Sequence, residues 1–375
     1  MANSIQRHFA ALPDPRRGQG KRHSLSDMLV IAVTAALCAA DSWADVADFG
    51  RAKRKWFKTF LDLPYGIPSH DTFERVFARL NPEAFEQCFI AWTKALSGTS
   101  GGQLLAIDGK RIRRSFTHAW EQTTAIHLVS AFATGNAAVF SQLAVDSKEN
   151  EIVAIPKLLA LLDLTGATVT IDAIGCQTAI AEQIVEGGGD YVLAVKDNQP
   201  TLAKRLRANL DDLIREKFAS VSHDFDETVN GDHGRIETRR VWTTAELGWL
   251  GAEGERWAGL RSVAVVETER EVTGYGKSGE RRYYISSLDG QSAKSMADAI
   301  RGHWAIENKL HYVLDVSFGE DQSRMRKGHA AENFSRIRRI ALNLLRTETT
   351  KKRGIKGKRL NAAWDHDYLL KLLTG

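Results

Sequence analysis

The sequence predicts an α/β protein in which an all-helical N-terminal region precedes a mixed sheet. Three observations carry this. Residues 24–96 show helical periodicity with no strand pattern, the chain from Gln103 onward switches to short apolar runs, and acidic residues close two of those runs. At 375 residues the chain is long enough for two or three domains with well-buried cores.

In the helical region, Ser24 and Ser26 are candidate N-caps ahead of Leu25, Leu29, Val30, Val33 and Leu37, followed by Trp43, Val46 and Phe49. After the loop 63–68, Ser69 or Asp71 is placed to cap a helix with Arg75 and Arg79 on one face. Two readings stand for this helix. A short turn before a basic helix resembles a helix-turn-helix, and Phe73, Val76, Phe77 and Leu80 equally suit the core of a helical bundle. The run 51–58 sets five cations beside Trp56 and Phe57, a composition for phosphate contact or for a solvated helix end.

The central region reads as strands at 103–108, 125–132 and 137–145, a helix from Ile152 to Leu164, and a strand at 167–172. A helix from about Thr178 to Glu186 follows, closed by Gly187, Gly188 and Gly189, and then a strand at 191–196. The order βββαβαβ, with Asp108 and Asp172 ending the first and fourth strands, matches the ribonuclease-H-like fold. Neighbouring strands lie about 5 Å apart, so two such carboxylates are close enough to share a metal ion. Hard carboxylate oxygens suit Mg²⁺ or Mn²⁺. Each acid also has an ordinary reading: Asp108-Gly109 as a hairpin turn and Asp172 as a helix cap.

From Pro200 a charged helix leads into a strand-rich stretch to about Asp289, read as an insertion with strands at 235–242, 261–268 and 281–286. Arg235, Glu237 and Arg239 alternate on one polar face suited to lie along DNA. Trp242, Trp249 and Trp257 are candidates for base stacking or for core. Ser295 to about Val316 then reads as one long helix in which His303, Glu307 and His311 repeat every four residues and share a face. A solvated Glu–His pair is the alternative. The spacing is not the His-Glu-x-x-His of metallopeptidases.

Beyond it, Arg324, Arg326 and Lys327 precede a helix with Phe334, Ile337, Ile340, Leu344 and Leu345 on one side and Arg336, Arg338 and Arg339 mainly off that stripe. The run 351–359 has six cations in nine positions and reads as a flexible phosphate-binding arm. The domains expected are a helical, DNA-binding 1–98, a catalytic domain from 99–199 and 291–348, an insertion 200–290, and a basic tail 349–375.

Net charge is +5 overall, divided as +5 over residues 1–60, −8 over 61–300 and +8 over 301–375. Positive charge gathered at both ends is the footprint of a polyanion binder or of solvated faces. Cys38, Cys88 and Cys176 lack Cys-x-x-Cys spacing, which argues against a disulfide framework and a structural zinc site. The longest apolar stretch, Met28 to Ala40, is too short to span a bilayer, and no signal-peptide pattern opens the chain, so a soluble, cytoplasmic protein without membrane partners is expected.

Five segments resemble a known family: Leu105-Ala106-Ile107-Asp108-Gly109-Lys110, Thr170-Ile171-Asp172-Ala173, the run from Tyr191 to Gln199 containing Lys196, His233-Gly234-Arg235-Ile236-Glu237, and the run from Arg301 to His311. They are similar to the DDE transposases of bacterial insertion sequences, most closely the H-repeat-associated group. The resemblance implies that Asp108, Asp172 and Glu307 are the catalytic triad and bind two Mg²⁺ or Mn²⁺ ions. In-line attack at phosphorus would cleave DNA at the element ends and then transfer the strands into target DNA. The implied partners are double-stranded DNA and a second copy of the chain in a synaptic homodimer. The expected DNA contacts are Arg301, His303, Lys309, His311, Lys196, Arg235, Arg324, Arg326 and Lys327. One departure stands out: the Tyr-x₂-Arg-x₃-Glu-x₆-Lys signature of the broader superfamily meets Ile300, His303, Glu307 and Leu314 here. Two rivals are a DNA-binding protein without catalysis, such as a decayed transposase or a repressor, and a ribonuclease-H-like nuclease or resolvase.

Overall fold

The computed structural model describes residues 4–374 except 116–124, 146–150, 233–234, 273 and 275; His233 and Gly234 of the quoted motif thus lie outside the described residues. In chain order, helices α1 (Ser4–His8), α2 (Leu25–Leu37), α3 (Trp43–Ala52), α4 (Arg54–Phe57), α5 (His70–Arg79) and α6 (Pro82–Ser97) precede strands β1 (Leu104–Arg111), β2 (His127–Ala133) and β3 (Ala138–Val145). Then come α7 (Glu151–Leu159), β4 (Thr168–Ile171), α8 (Thr178–Glu186), β5 (Asp190–Val195) and α9 (Pro200–Arg215). Strands β6 (Asp224–Asp232) and β7 (Arg235–Thr244), helix α10 (Ala252–Glu255), and strands β8 (Ser262–Val272) and β9 (Gly276–Ser286) follow. Last come α11 (Ala293–Ala305), a π-helical segment Ile306–His311, α12 (Tyr312–Phe318), α13 (Ala330–Thr347), α14 (Ile355–Trp364) and α15 (His366–Thr374).

The chain forms two compact units. The first comprises Met1–Thr99, Gly109–Asn150 and Glu307–Gly375, and the second Ser100–Asp108 and Glu151–Ile306.

In the first unit the helix starts follow local chemistry. Ser24 and Ser69 accept from the backbone N–H of Asp27 and Thr72, Ser42 and Asp45 form a capping box, and Asn81 caps α6 with Pro82 at its first position. Phe73, Val76, Phe77 and Leu80 are buried, so the core reading of α5 holds. Trp43 stacks on Phe77 at 4.7 Å and meets Phe334 of α13 edge-on at 4.8 Å, so α13 runs through the core of the N-terminal helices. Strands β2 and β3 pair antiparallel from His127–Val145 to Ala133–Ala138. Asn343 of α13 bonds both the N–H and the C=O of Val139.

Two expectations are corrected in this unit. Arg336, Arg338 and Arg339 are fully buried rather than solvated, because α13 is enclosed from Ala330 to Leu345 and its off-stripe positions also face protein. Charge there requires partners. Arg336 pairs with Glu86 at 2.5 Å and Glu332 at 3.0 Å, and Arg339 with Glu320 at 3.0 Å. Burial pushes Arg338 down to about 10, against the pull of Glu320 and Asp41. The second correction concerns the basic tail, which is not a flexible arm. Its run folds into α14, where Lys358 caps the carbonyls of Leu345 and Glu348, and Arg359 donates two bonds to the carbonyl of Ala36.

In the second unit the strand order is β1-β4-β5-β9-β8-β7-β6. β1, β4 and β5 run parallel, β9 joins β5 antiparallel, and β9 to β6 form an antiparallel meander. The insertion therefore continues the sheet beyond β5 instead of standing apart from it. Helix α11 covers one face, with Met296, Ala299 and Ile300 packed on Val192, Val241, Ala264 and Tyr284.

The polar face expected of Arg235, Glu237 and Arg239 is an ion-pair cluster. Glu237 is buried, and Arg235, Arg239 and Arg270 all pair with it. Trp257 is core, and Trp242 packs with Phe218 and Phe225, so neither is a free stacking platform. Among the described residues, no helix is long and apolar enough to cross a membrane.

Candidate active site

The ladder between β1 and β4 pairs Leu104 with Thr168 and continues in register to Ile107 with Ile171. Asp108 and Asp172 are the next residues on the two parallel strands, so both stand at the same end of adjacent strands, whose axes are about 4.8 Å apart. Both are half-buried. β1 runs on through Gly109 to Arg111, which removes the hairpin-turn reading of Asp108.

Asp172 does cap a turn. Its Oδ1 accepts from Ile174 N at 3.1 Å at the start of the 3-10 helix Ala173–Gly175. A Cβ on Gly175 would lie 2.3 Å from Ile171 Cγ2, so only glycine lets the turn fold back on β4. Asn198 donates to Ala173 O at 2.5 Å and Gln199 to Cys176 O at 2.9 Å, strapping this turn from the segment after β5. That positioning role was not read from the sequence, although both residues belong to a quoted motif. Burial pushes the Cys176 thiol up to about 12, which makes it an inert filler behind the turn.

His303 reaches from α11 to Thr170, with Nδ1 3.3 Å from Oγ1, and Thr170 in turn donates to Leu105 O at 3.3 Å. Of the expected DNA contacts, His303 is thus tied to the β1–β4 pair. Arg301 instead bonds Thr228 on β6 at 2.8 Å. Lys196 is exposed just past β5, and Arg235 is exposed on β7. Trp304, 45% exposed, carries the guanidinium of Arg282 over its ring at 5.0 Å.

The boundary between the units falls after Asp108 and after Ile306, so Glu307 belongs to the first unit. It opens, with Ile306, the π-helical segment, a wider turn than the uniform helix expected from Ser295 to Val316. Such insertions recur at functional sites and change the phase of everything that follows. Within the segment, exposed Glu307 lies 3.6 Å from Nδ1 of buried His311, so a carboxylate and an imidazole face each other one turn apart. The Lys309 carbonyl accepts from the Arg346 guanidinium. Further on, Arg324 is exposed, Arg326 donates to Arg114 O at 3.2 Å, and Lys327 is engaged by Glu74 at 2.7 Å.

The family described as "Transposase DDE domain" matches residues 99–344, and the one described as "DDE_Tnp_1-associated" matches residues 6–93. The chain is 38% identical over 374 residues to the H repeat-associated putative transposase YhhI of Escherichia coli K12, an alignment covering 99% of this chain and 98% of that one. The putative transposase YncI of Escherichia coli O157:H7 is 41% identical over 376 residues, covering 99% and 94%. Putative protein YbfL of Escherichia coli K12 is 38% identical over 374 residues, covering 99% and 98%. The cryo-EM structure of the piggyBac transposase synaptic complex with hairpin DNA aligns loosely, with a TM-score of 0.42 and 11% identity over 99% of this chain and 78% of that chain.

Proposed function

We propose that this chain, which belongs to the DDE transposase family, cleaves DNA at insertion-sequence ends and transfers the cut strands into target DNA, with Asp108, Asp172 and Glu307 as its catalytic carboxylates on a ribonuclease-H-like core. The observation that carries the assignment is the β1–β4 register, which sets Asp108 and Asp172 side by side.

The donor set fits a hard divalent cation. Two half-buried aspartates on rigid strands and a glutamate backed by an imidazole offer oxygen-rich ligation suited to Mg²⁺ or Mn²⁺, two ions in all. When bound, such ions activate water or a DNA 3′-hydroxyl and stabilise the leaving oxygen. The protein's own part is positional. The turn strapped by Asn198 and Gln199 holds Asp172, while the Thr170 link seats His303 against the sheet. His311 orients the Glu307 carboxylate.

Lys196, Arg235, Arg301, Lys309, Arg324, Arg326 and Lys327 would supply phosphate contacts, residues 1–98 would recognise the element ends, and a homodimer would bring two ends together. Incubating the protein with Mg²⁺, end-bearing DNA and a target plasmid tests the reading. Joined products support it, nicks alone indicate a nuclease, and neither product indicates a DNA binder.

A further inference from the structure

We infer that Lys110 is a positioning residue that ties the strand carrying Asp108 to the helix that follows Glu307, and thereby sets the geometry of the metal-binding carboxylates. The inference rests on the triad reading above.

Lys110 lies two residues beyond Asp108 on β1, so strand alternation gives the two side chains the same face. It is only 8% exposed. Its Nζ lies 2.6 Å from Asp315 Oδ1 on α12 and 3.3 Å from Asp321 Oδ1 in the 3-10 turn Glu320–Gln322. Arg113 holds the other oxygen of Asp321 at 3.2 Å. A buried ammonium is costly unless its charge and its donors are met, and here carboxylates from two different elements meet them.

A link of this kind makes the placement of β1 sensitive to α12. That helix continues without a break from the π segment holding Glu307, so a shift at Asp315 moves Glu307 along the same rigid axis. A tie serving stability alone would not concern metal affinity. One that positions ligands would, because groups that orient ligands typically govern affinity by about 10–100-fold.

The test is a Mn²⁺ titration of DNA-free full-length protein, reading the rise in Tm, alongside cleavage of end DNA against Mg²⁺ concentration. Lys110→Met is expected to melt cooperatively in EDTA and to need about 10–100-fold more Mn²⁺ for the half-maximal rise. Lys110→Arg, whose guanidinium spans two carboxylates, is expected to recover most of that shift. If Lys110→Met fails to fold, Asp315→Asn, which leaves Lys110 one acid, is expected to shift the Mn²⁺ midpoint in the same direction. A wild-type midpoint in whichever variant folds overturns the inference. Asp108→Asn separates the two claims. If it loses the Mn²⁺ response while Lys110→Met keeps a wild-type midpoint, only the positioning role fails. If Asp108→Asn titrates like wild type, the metal-site reading itself fails.

Discussion

Arg336 Nε and Glu86 Oε2 meet at 2.5 Å although 250 residues separate them in the chain, and neither side chain is more than 2% exposed. Glu86 also accepts from Ser141 Oγ and Gln142 N at 2.8 Å, so one carboxylate joins α6, β3 and α13. Truncating Arg336 to Ala would strand Glu86 and Glu332 and is expected to cost about 3–5 kcal/mol. Urea unfolding measures it. The double variant Arg336→Met with Glu86→Leu should recover a large part, since the uncompensated charge at Glu86 is then gone.

Asp172 has a capping role and a proposed catalytic one, and two substitutions part them. Asp172→Asn keeps an oxygen for Ile174 N, so the fold should hold while cleavage falls by roughly 10²-fold or more. Asp172→Ala should lose activity equally and shed a further ~0.5–2 kcal/mol of stability with the cap. Strand-transfer yield and thermal melts on the same preparations check both. Normal transfer by Asp172→Asn would sink the triad.

The cations of the tail divide by burial. Lys351, Lys352, Arg353 and Lys356 are exposed, whereas Lys358 and Arg359 are engaged with backbone carbonyls. Neutralising an exposed cation that pairs with a DNA phosphate should make the plot of log affinity against log salt shallower by about one. Lys358→Ala and Arg359→Ala should instead lower Tm and leave that slope unchanged. DNA-binding isotherms across a salt series, with melting curves, distinguish the two groups.

Glu348 is predicted to set part of the acid limit of stability. Burial alone would raise its pKa, but hydrogen bonds from the Thr350 hydroxyl, the Tyr368 hydroxyl and the backbone N–H groups of Thr350 and Lys351 outweigh burial and hold it at about 2, below the ordinary 4.5. A carboxyl depressed in the folded state adds stability above its unfolded pKa and loses it as pH falls toward the folded value. The contribution should therefore be complete above about pH 5 and vanish between there and about pH 2. Unfolding free energies of wild type and Glu348→Gln should converge on acidification across that window.

Much of this architecture is written in local pattern. Ser24 and Ser69 cap the helices that their positions announce, the helix over 178–186 appears with those bounds, and the strands ending at Asp108 and Asp172 are neighbours in register. The limits of that pattern are equally specific. Arg336 and Lys358 look solvated because a cation off an apolar stripe normally is, and only groups hundreds of residues away or on another helix enclose them. The π turn at Ile306–His311 leaves no periodic trace, since one extra residue per turn is invisible in so short a run.

The sequence by itself determined the order of elements, the pairing that sets two aspartates at one strand end, and membership of a family, because periodicity, caps and motif spacing are local properties. Tertiary structure decided which charges are buried, that the insertion extends the sheet from β5 through β9, and that Lys110 links β1 to α12. Those outcomes depend on which distant groups arrive to solvate a charge or pair a strand edge, and no window of sequence contains both partners.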